Sequence, residues 1–280
     1  MEQKTQLIQE LQNCIRSVES GSRAGAEQTV SSGCSALDRL LPESGYQRGS
    51  LVQWITAGGN GVDYLSLVTA REACRNGGSL VVIDPANQFY PPAATAIGLP
   101  LERTIILRDQ ATRSSSWSQS SRSGSTLRSP ISTESLENND FLWSIDQALR
   151  CPAVAAVWGP MDTIGARWFR RFQLSAESSG CLGLFVQPQS AASAPTWADV
   201  QWQVEGLKLA NQISRQPDRN EQLVQLTLSR CRGTFAGKTV RLGINTITGD
   251  VQEARDHHES TNRLPVVPQL GHSATNRQPA

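Results

Sequence analysis

The stretch WITAGGNGVDYLSL, residues 54–67, joins a β-branched and aromatic run to a helical repeat through a glycine-rich loop. Ahead of it, GSLVQWI has the apolar density of a buried strand. Behind it, DYLSLVTAREACR places apolar residues at helical spacing and closes at Asn76-Gly77-Gly78. Strand, glycine loop and helix together are the layout of a phosphate-binding loop. A working loop of the form G-x-x-x-x-G-K-[ST] cradles phosphate with backbone N–H groups, neutralises it with a lysine and holds magnesium through a hydroxyl. With Gly61 as the second glycine, Thr56 replaces the first, Val62 replaces the lysine and Asp63 replaces the hydroxyl. The candidate cradle is Thr56, Gly58, Gly59, Asn60, Gly61, Val62 and Asp63, without its charge chemistry. Asp63 falls in the first turn of the helix, where free N–H groups and the helix dipole favour a carboxylate, so the chain supplies its own anion where a phosphate would sit. The loop reads either as a strand-to-helix turn capped by an aspartate or as a nucleotide site. No cofactor is expected.

Working outward, strands and helices alternate. SLVVID, RTIILR, AVAAVW and LGLFVQ read as strands, while FLWSIDQALR and a segment from about Ile164 to Glu177 read as helices. Such alternation predicts an α/β fold with a largely parallel sheet covered by helices on both faces. Beyond Gln201 the segments QWQVEGLKL, EQLVQLTLS and KTVRLGIN show period-2 stretches joined by polar turns. They predict an antiparallel C-terminal extension of the same sheet with one wetter face.

Three regions break the pattern. Residues 1–30 read as an amphipathic helix built on Leu7, Ile8, Leu11, Ile15 and Val18 followed by a tether, either packed on its own domain or used as a docking helix. Residues 111–139 are dominated by serine and contain almost no aliphatic side chain, so they are expected to be a disordered insertion within a core spanning 31–250. Residues 251–280 carry all three histidines, His257, His258 and His272, and read as a disordered tail. Histidine catalysis in the folded part is thereby excluded. The six cysteines, Cys14, Cys34, Cys74, Cys151, Cys181 and Cys231, are too far apart for a zinc knuckle and read as reduced thiols. The 280-residue chain has a net charge of +1, which argues against a general nucleic-acid coat protein. No apolar run is long enough to span a membrane and the N-terminus lacks a hydrophobic signal region, so a soluble, cytoplasmic protein is expected.

The residues around the loop resemble a family. SSGCSALDRLLPESGYQRGSLVQWI is similar to the entry of the RecA core, and GGSLVVIDPANQFYPPAATAIGLPLERTIILR to its next unit. By that resemblance Ala86 stands where RecA carries its water-activating glutamate, and Trp158 where RecA ends a strand in the magnesium-ordering aspartate. Further similarity at DPANQFYPPAATAIGL, WSIDQALR, RRFQLSAESSGCLGLFVQP and LTLSRCRG narrows the resemblance to the ImuA group of RecA-like proteins, grouped with SulA-like proteins. The resemblance implies a catalytically inactive accessory factor in SOS-induced mutagenic translesion synthesis and DNA repair. The implied partners are an ImuB-like polymerase-family protein, an error-prone DNA polymerase and RecA. The alternatives are an ATP-dependent RecA paralogue acting in recombination and a SulA-like inhibitor of cell division.

Two basic groups are candidate partner or nucleic-acid contacts. On the helix from Ile164, Trp168, Phe169, Phe172 and Ala176 form an expected core stripe, with Arg167, Arg170 and Arg171 opposite. In SRCRGTFAGKTVR, Arg230, Arg232, Lys238 and Arg241 surround a turn without interleaved exposed aromatics, so the turn is not read as a stacking platform. Where the RecA resemblance implies a long DNA-binding loop, FVQPQSAASAPTWADV is short and lacks glycine and basic residues, which argues against RecA-like handling of single-stranded DNA. Limited proteolysis is expected to cut first in residues 111–139 and beyond about Gln252. First cuts inside SLVVID or LGLFVQ would contradict this domain reading.

Overall fold

A computed structural model of the chain describes residues 29–58, 61–108, 139–207 and 221–254. The amphipathic segment, nearly all of the serine-rich stretch, Gly59, Asn60 and the histidine-bearing tail lie outside the described residues. The strands are β1 (Thr29–Val30), β2 (Tyr46–Gln47), β3 (Leu51–Thr56), β4 (Ser79–Ile83), β5 (Thr104–Leu107), β6 (Val154–Pro160), β7 (Leu182–Pro188), β8 (Val200–Gly206), β9 (Glu221–Cys231), β10 (Thr239–Asn245) and β11 (Val251–Glu253). The helices are α1 (Ser35–Asp38), α2 (Val62–Ala73), α3 (Pro91–Ala96), α4 (Asn139–Arg150) and α5 (Ala166–Ser179).

Nine strands form one sheet in the order β11-β10-β9-β8-β3-β7-β6-β4-β5. β3 lies between β7 and β8, parallel to both, and all six of its residues are buried. Its side chains divide between two cores. Val52 and Trp54 join α2 and α3 residues such as Leu65, Ala70 and Ala94 on one face. Leu51 joins Ile145 and Leu149 of α4 and Phe169 and Phe172 of α5 on the other. The continuous apolar runs in the sequence thus reflect burial on both sheet faces. Within the first core, Trp54 stacks on Trp202 at 6.2 Å, and the Trp202 indole N–H donates to the Tyr46 hydroxyl at 2.9 Å.

The expected architecture is present with local corrections. β8 is parallel to β3, so the antiparallel extension consists of β9, β10 and β11. Thr29–Val30 belong to no tether, because they pair with Tyr46–Gln47 and bury Val30. Val251–Glu253 likewise leave the proposed tail and pair with β10, with Val251 packed against the core. Both strands are too short to show a period-2 pattern. Cys34, Cys74, Cys151, Cys181 and Cys231 are unpaired thiols. Among the described residues no helix is long and apolar enough to cross a membrane.

Tyr46→Phe leaves the buried Trp202 indole N–H without its acceptor. Stability is expected to fall by about 1–3 kcal/mol in denaturant unfolding, and an unchanged midpoint would show that this hydrogen bond adds nothing net.

Candidate functional site

The glycine loop connects β3 to α2 as the sequence predicts. Thr56 accepts a hydrogen bond on its hydroxyl oxygen from the Gly58 N–H at 3.0 Å. Gly61 is the N-cap of α2, with left-handed φ of 70°, and its carbonyl accepts the first helical bond from the Leu65 N–H at 3.1 Å. Gly61 is therefore the cap residue and makes the turn, and Asp63 lies in the first turn of α2, where the sequence places it. Desolvation by its surroundings pushes the Asp63 carboxyl up, although the residue as a whole is exposed. Val62, at the lysine position, is buried in the core. The C-terminal strands approach the loop closely. A Cβ on Gly61 would fall 2.7 Å from Ile244 Cδ1, and the Tyr64 hydroxyl donates to the Gly249 carbonyl.

Of the other positions that the resemblance assigns to magnesium and water, one is packed in the core and the other is an exposed alanine. Trp158, near the end of β6, is buried and donates its indole N–H to the Ser66 hydroxyl of α2 at 2.8 Å. Phe89 lies against its ring at 6.1 Å. Ala86 is exposed in the turn after β4 and carries no acid. The neighbouring Asp84 is buried and structural: Oδ1 accepts the Gln88 N–H at 2.6 Å, and Oδ2 lies 3.3 Å from Arg108 Nε. Val62, Phe89 and Trp158 belong to or pack against one apolar core. Their side chains tie α2 to the sheet and offer a polyphosphate no charge.

The arginines of α5 are less uniform than their spacing suggests. Arg167 is exposed. Arg170 bonds Gln173 Oε1 at 2.5 Å and lies 4.6 Å from the centre of the Trp197 ring. Arg171 lies 5.1 Å from the Trp168 ring centre and pairs with Asp146 Oδ2 at 2.8 Å. Phe169, Phe172 and Ala176 are core as expected, whereas Trp168 is only half-buried. Trp197 escaped the sequence reading because it stands in a loop with no period. That loop is fixed underneath by polar groups: Thr196 donates to Gln53 Oε1 at 2.9 Å, and Gln201 Nε2 reaches the same oxygen at 3.0 Å.

The second basic group reaches the same loop. Arg230 donates to the Thr196 carbonyl at 3.1 Å, and Arg232 lies 3.7 Å from Asp199 Oδ1. Lys238 reaches the Thr234 hydroxyl at 3.1 Å and the Leu40 carbonyl at 3.5 Å, and Arg241 reaches Gln225 Oε1 at 3.4 Å. The Thr196–Asp199 segment therefore brings Arg170, Arg230 and Arg232 together, while Lys238 stays at the hairpin tip. The hairpin also presents one aromatic, contrary to expectation: Phe235 is 89% exposed.

No family model matches the chain. The chain is similar to the protein named RecA of Latilactobacillus sakei, with 35% identity over 78 residues, covering 28% of this chain and 22% of that protein. The RecA of Levilactobacillus brevis is 33% identical over 79 residues, covering 28% and 21%, and that of Lactobacillus delbrueckii is 33% identical over 78 residues, covering 28% and 24%. The chain thus spans less than a quarter of the curated relatives it matches. These partial matches support a RecA-like relationship, and the mostly parallel nine-stranded sheet is consistent with a RecA-like fold.

The Arg171 contact ties the effect of its removal to a buried carboxylate. Asp146 is 0% exposed, and Arg150 Nε lies 3.2 Å from its Oδ2. Burial alone would raise its carboxyl, but hydrogen bonds from Arg171 and Ser175 and the nearby guanidinium charges outweigh it, and the net shift is downward. A carboxylate lowered in the fold contributes stability above its unfolded pKa of about 4, and loses it as pH falls through the folded value. Arg171→Ala is expected to cost about 2 kcal/mol at neutral pH. This is less than for a fully buried pair, because Arg171 is 43% exposed and Arg150 remains. The penalty should shrink as Asp146 is protonated in acid. Denaturant unfolding near pH 7 and pH 3.5 (about one half-unit below the usual carboxylate pKa) measures both, and a pH-independent difference would remove the pair from the account.

Proposed function

We propose that this chain is a catalytically silent RecA-like module that acts by binding, as an accessory or recruitment factor in SOS-induced mutagenic translesion synthesis and DNA repair. The observation that carries the silent reading is the buried Trp158 indole bonded to Ser66 on the helix that follows the glycine loop. At the position the RecA resemblance assigns to a magnesium-ordering carboxylate, an apolar ring holds the helix against the sheet. Buried Val62 at the lysine position and exposed Ala86 at the glutamate position support the same reading. The partners proposed from the ImuA resemblance are an ImuB-like polymerase-family protein, an error-prone DNA polymerase and RecA. Contact with DNA is indirect or weak in this reading. The exposed arginines around the Thr196–Asp199 segment are its candidate contact groups.

Calorimetric titration with ATP and magnesium is expected to give no complex as tight as micromolar, and no hydrolysis. Micromolar binding would overturn the silent reading in favour of an ATP-dependent paralogue. Val62→Lys combined with Asp63→Thr is expected to restore weak binding at most, with hydrolysis still absent while Ala86 and Trp158 remain.

A further inference from the structure

The outward face of α5 has an organisation that the fold does not require. Residues 167, 174 and 178 follow its ridge at helical spacing. Arg171 with Trp168 flanks the ridge on one side and Arg170 with Trp197 on the other. Leu174, on the ridge, is 50% exposed, and Trp197 is 43% exposed. On the neighbouring α4, Trp143 is 53% exposed and the Arg150 side chain is 52% exposed. The carboxylate of Asp146, by contrast, is buried and already engaged by Arg150 and Arg171.

We propose that the outer face of α5 is a protein-docking surface that takes an acidic protein segment bearing an apolar anchor, which seats on Leu174 between the Arg171–Trp168 and Arg170–Trp197 stacks. This assignment rests on the recruitment reading and gives its partner a chemistry. Charge complementarity supplies the first argument. Arg167, Arg170 and Arg171 on α5 and Arg150 on α4 are set against the buried Asp146 and one exposed carboxylate on α5, Glu177, so the accessible charge of the α5 face is cationic in excess and favours carboxylates. The second argument separates a protein from a nucleic acid. A strand-binding platform offers open aromatic faces for bases, whereas here Trp168 and Trp197 each have a face occupied by a guanidinium at 5.1 and 4.6 Å. Such stacks form a rigid surface that is both apolar and cationic. Trp and Arg are the residue types that dominate the energetic centres of protein interfaces. Preorganisation is the third argument. Arg170 is fixed by Gln173 and Trp197, so less side-chain freedom is lost on docking.

The test uses the full chain, the ImuB-like protein and RecA of the same organism, and an oligodeoxythymidine of about thirty nucleotides, long enough for several binding sites. Leu174→Asp and Arg170→Ala change exposed atoms and leave the Asp146 pair intact, and a thermal melt checks each. The expected result is at least about a tenfold weakening of one protein complex by each variant, with the weak oligonucleotide signal unchanged. Selective loss of oligonucleotide binding that steepens with salt would overturn the proposal in favour of phosphate contact. Unchanged protein complexes in both variants would overturn the surface and leave the recruitment reading standing. Failure of the wild-type chain to bind either protein would overturn the recruitment reading, and this proposal with it. If Leu174→Asp fails to fold, Arg170→Ala decides alone.

Discussion

β3 must be covered on both faces and paired on both edges, and the rest of the molecule is arranged to satisfy that demand. Its apolar residues are met by two different cores, one under α2 and α3 and one under α4 and α5. Its one long polar side chain, Gln53, is buried and must be hydrogen-bonded there. Gln187 on one neighbouring strand, Gln201 on the other and Thr196 from the covering loop supply those bonds. The position of Trp197, and hence the meeting of two basic groups, follows from that burial requirement.

The glycine loop leads into a helix whose first residue, Val62, serves packing where a phosphate loop carries its lysine. Val62 and Trp158 hold α2 to the sheet from inside, and the Tyr64 bond to Gly249 holds it from the C-terminal strands. A lysine, a hydroxyl and acidic residues in this region would need water or a ligand to satisfy them. The Trp158 indole N–H finds its acceptor in Ser66 within the fold, and Val62 needs none. Fold and chemistry are separable in this way because activity belongs to a site and not to the architecture that carries it.

The sequence made the alternating elements legible because burial on both sheet faces gives uninterrupted apolar runs, as in Leu80–Ile83 and Leu182–Val186. The missing charges of the loop were legible too, since they depend only on the identities of Val62 and Asp63. The cap was not legible. Gly61 and Asp63 are both plausible at a helix start, and only the backbone angle at Gly61 decides between them. β1 and β11 were missed because two or three residues carry no period. Arg171 could not be told from Arg167 by spacing, since the difference lies in Asp146 on another helix. Trp197 and Phe235 are loop residues whose exposure depends on tertiary packing, and no local pattern marks it.

The pairing of β3 has a consequence for how the chain acquires its fold. Its neighbours in the sheet are Gly183–Pro188 and Val200–Val204, and neither is adjacent in sequence. During synthesis the strand Leu51–Thr56 emerges before either partner and waits until Val200–Val204 has followed for both edges to be covered. Local helices can form meanwhile, but closure of the sheet centre requires long loops to be fixed first, which slows folding. Leu-Val-Gln-Trp-Ile is the segment most in need of protection in that interval, because its unpaired edges and apolar faces are those of an aggregation-prone strand.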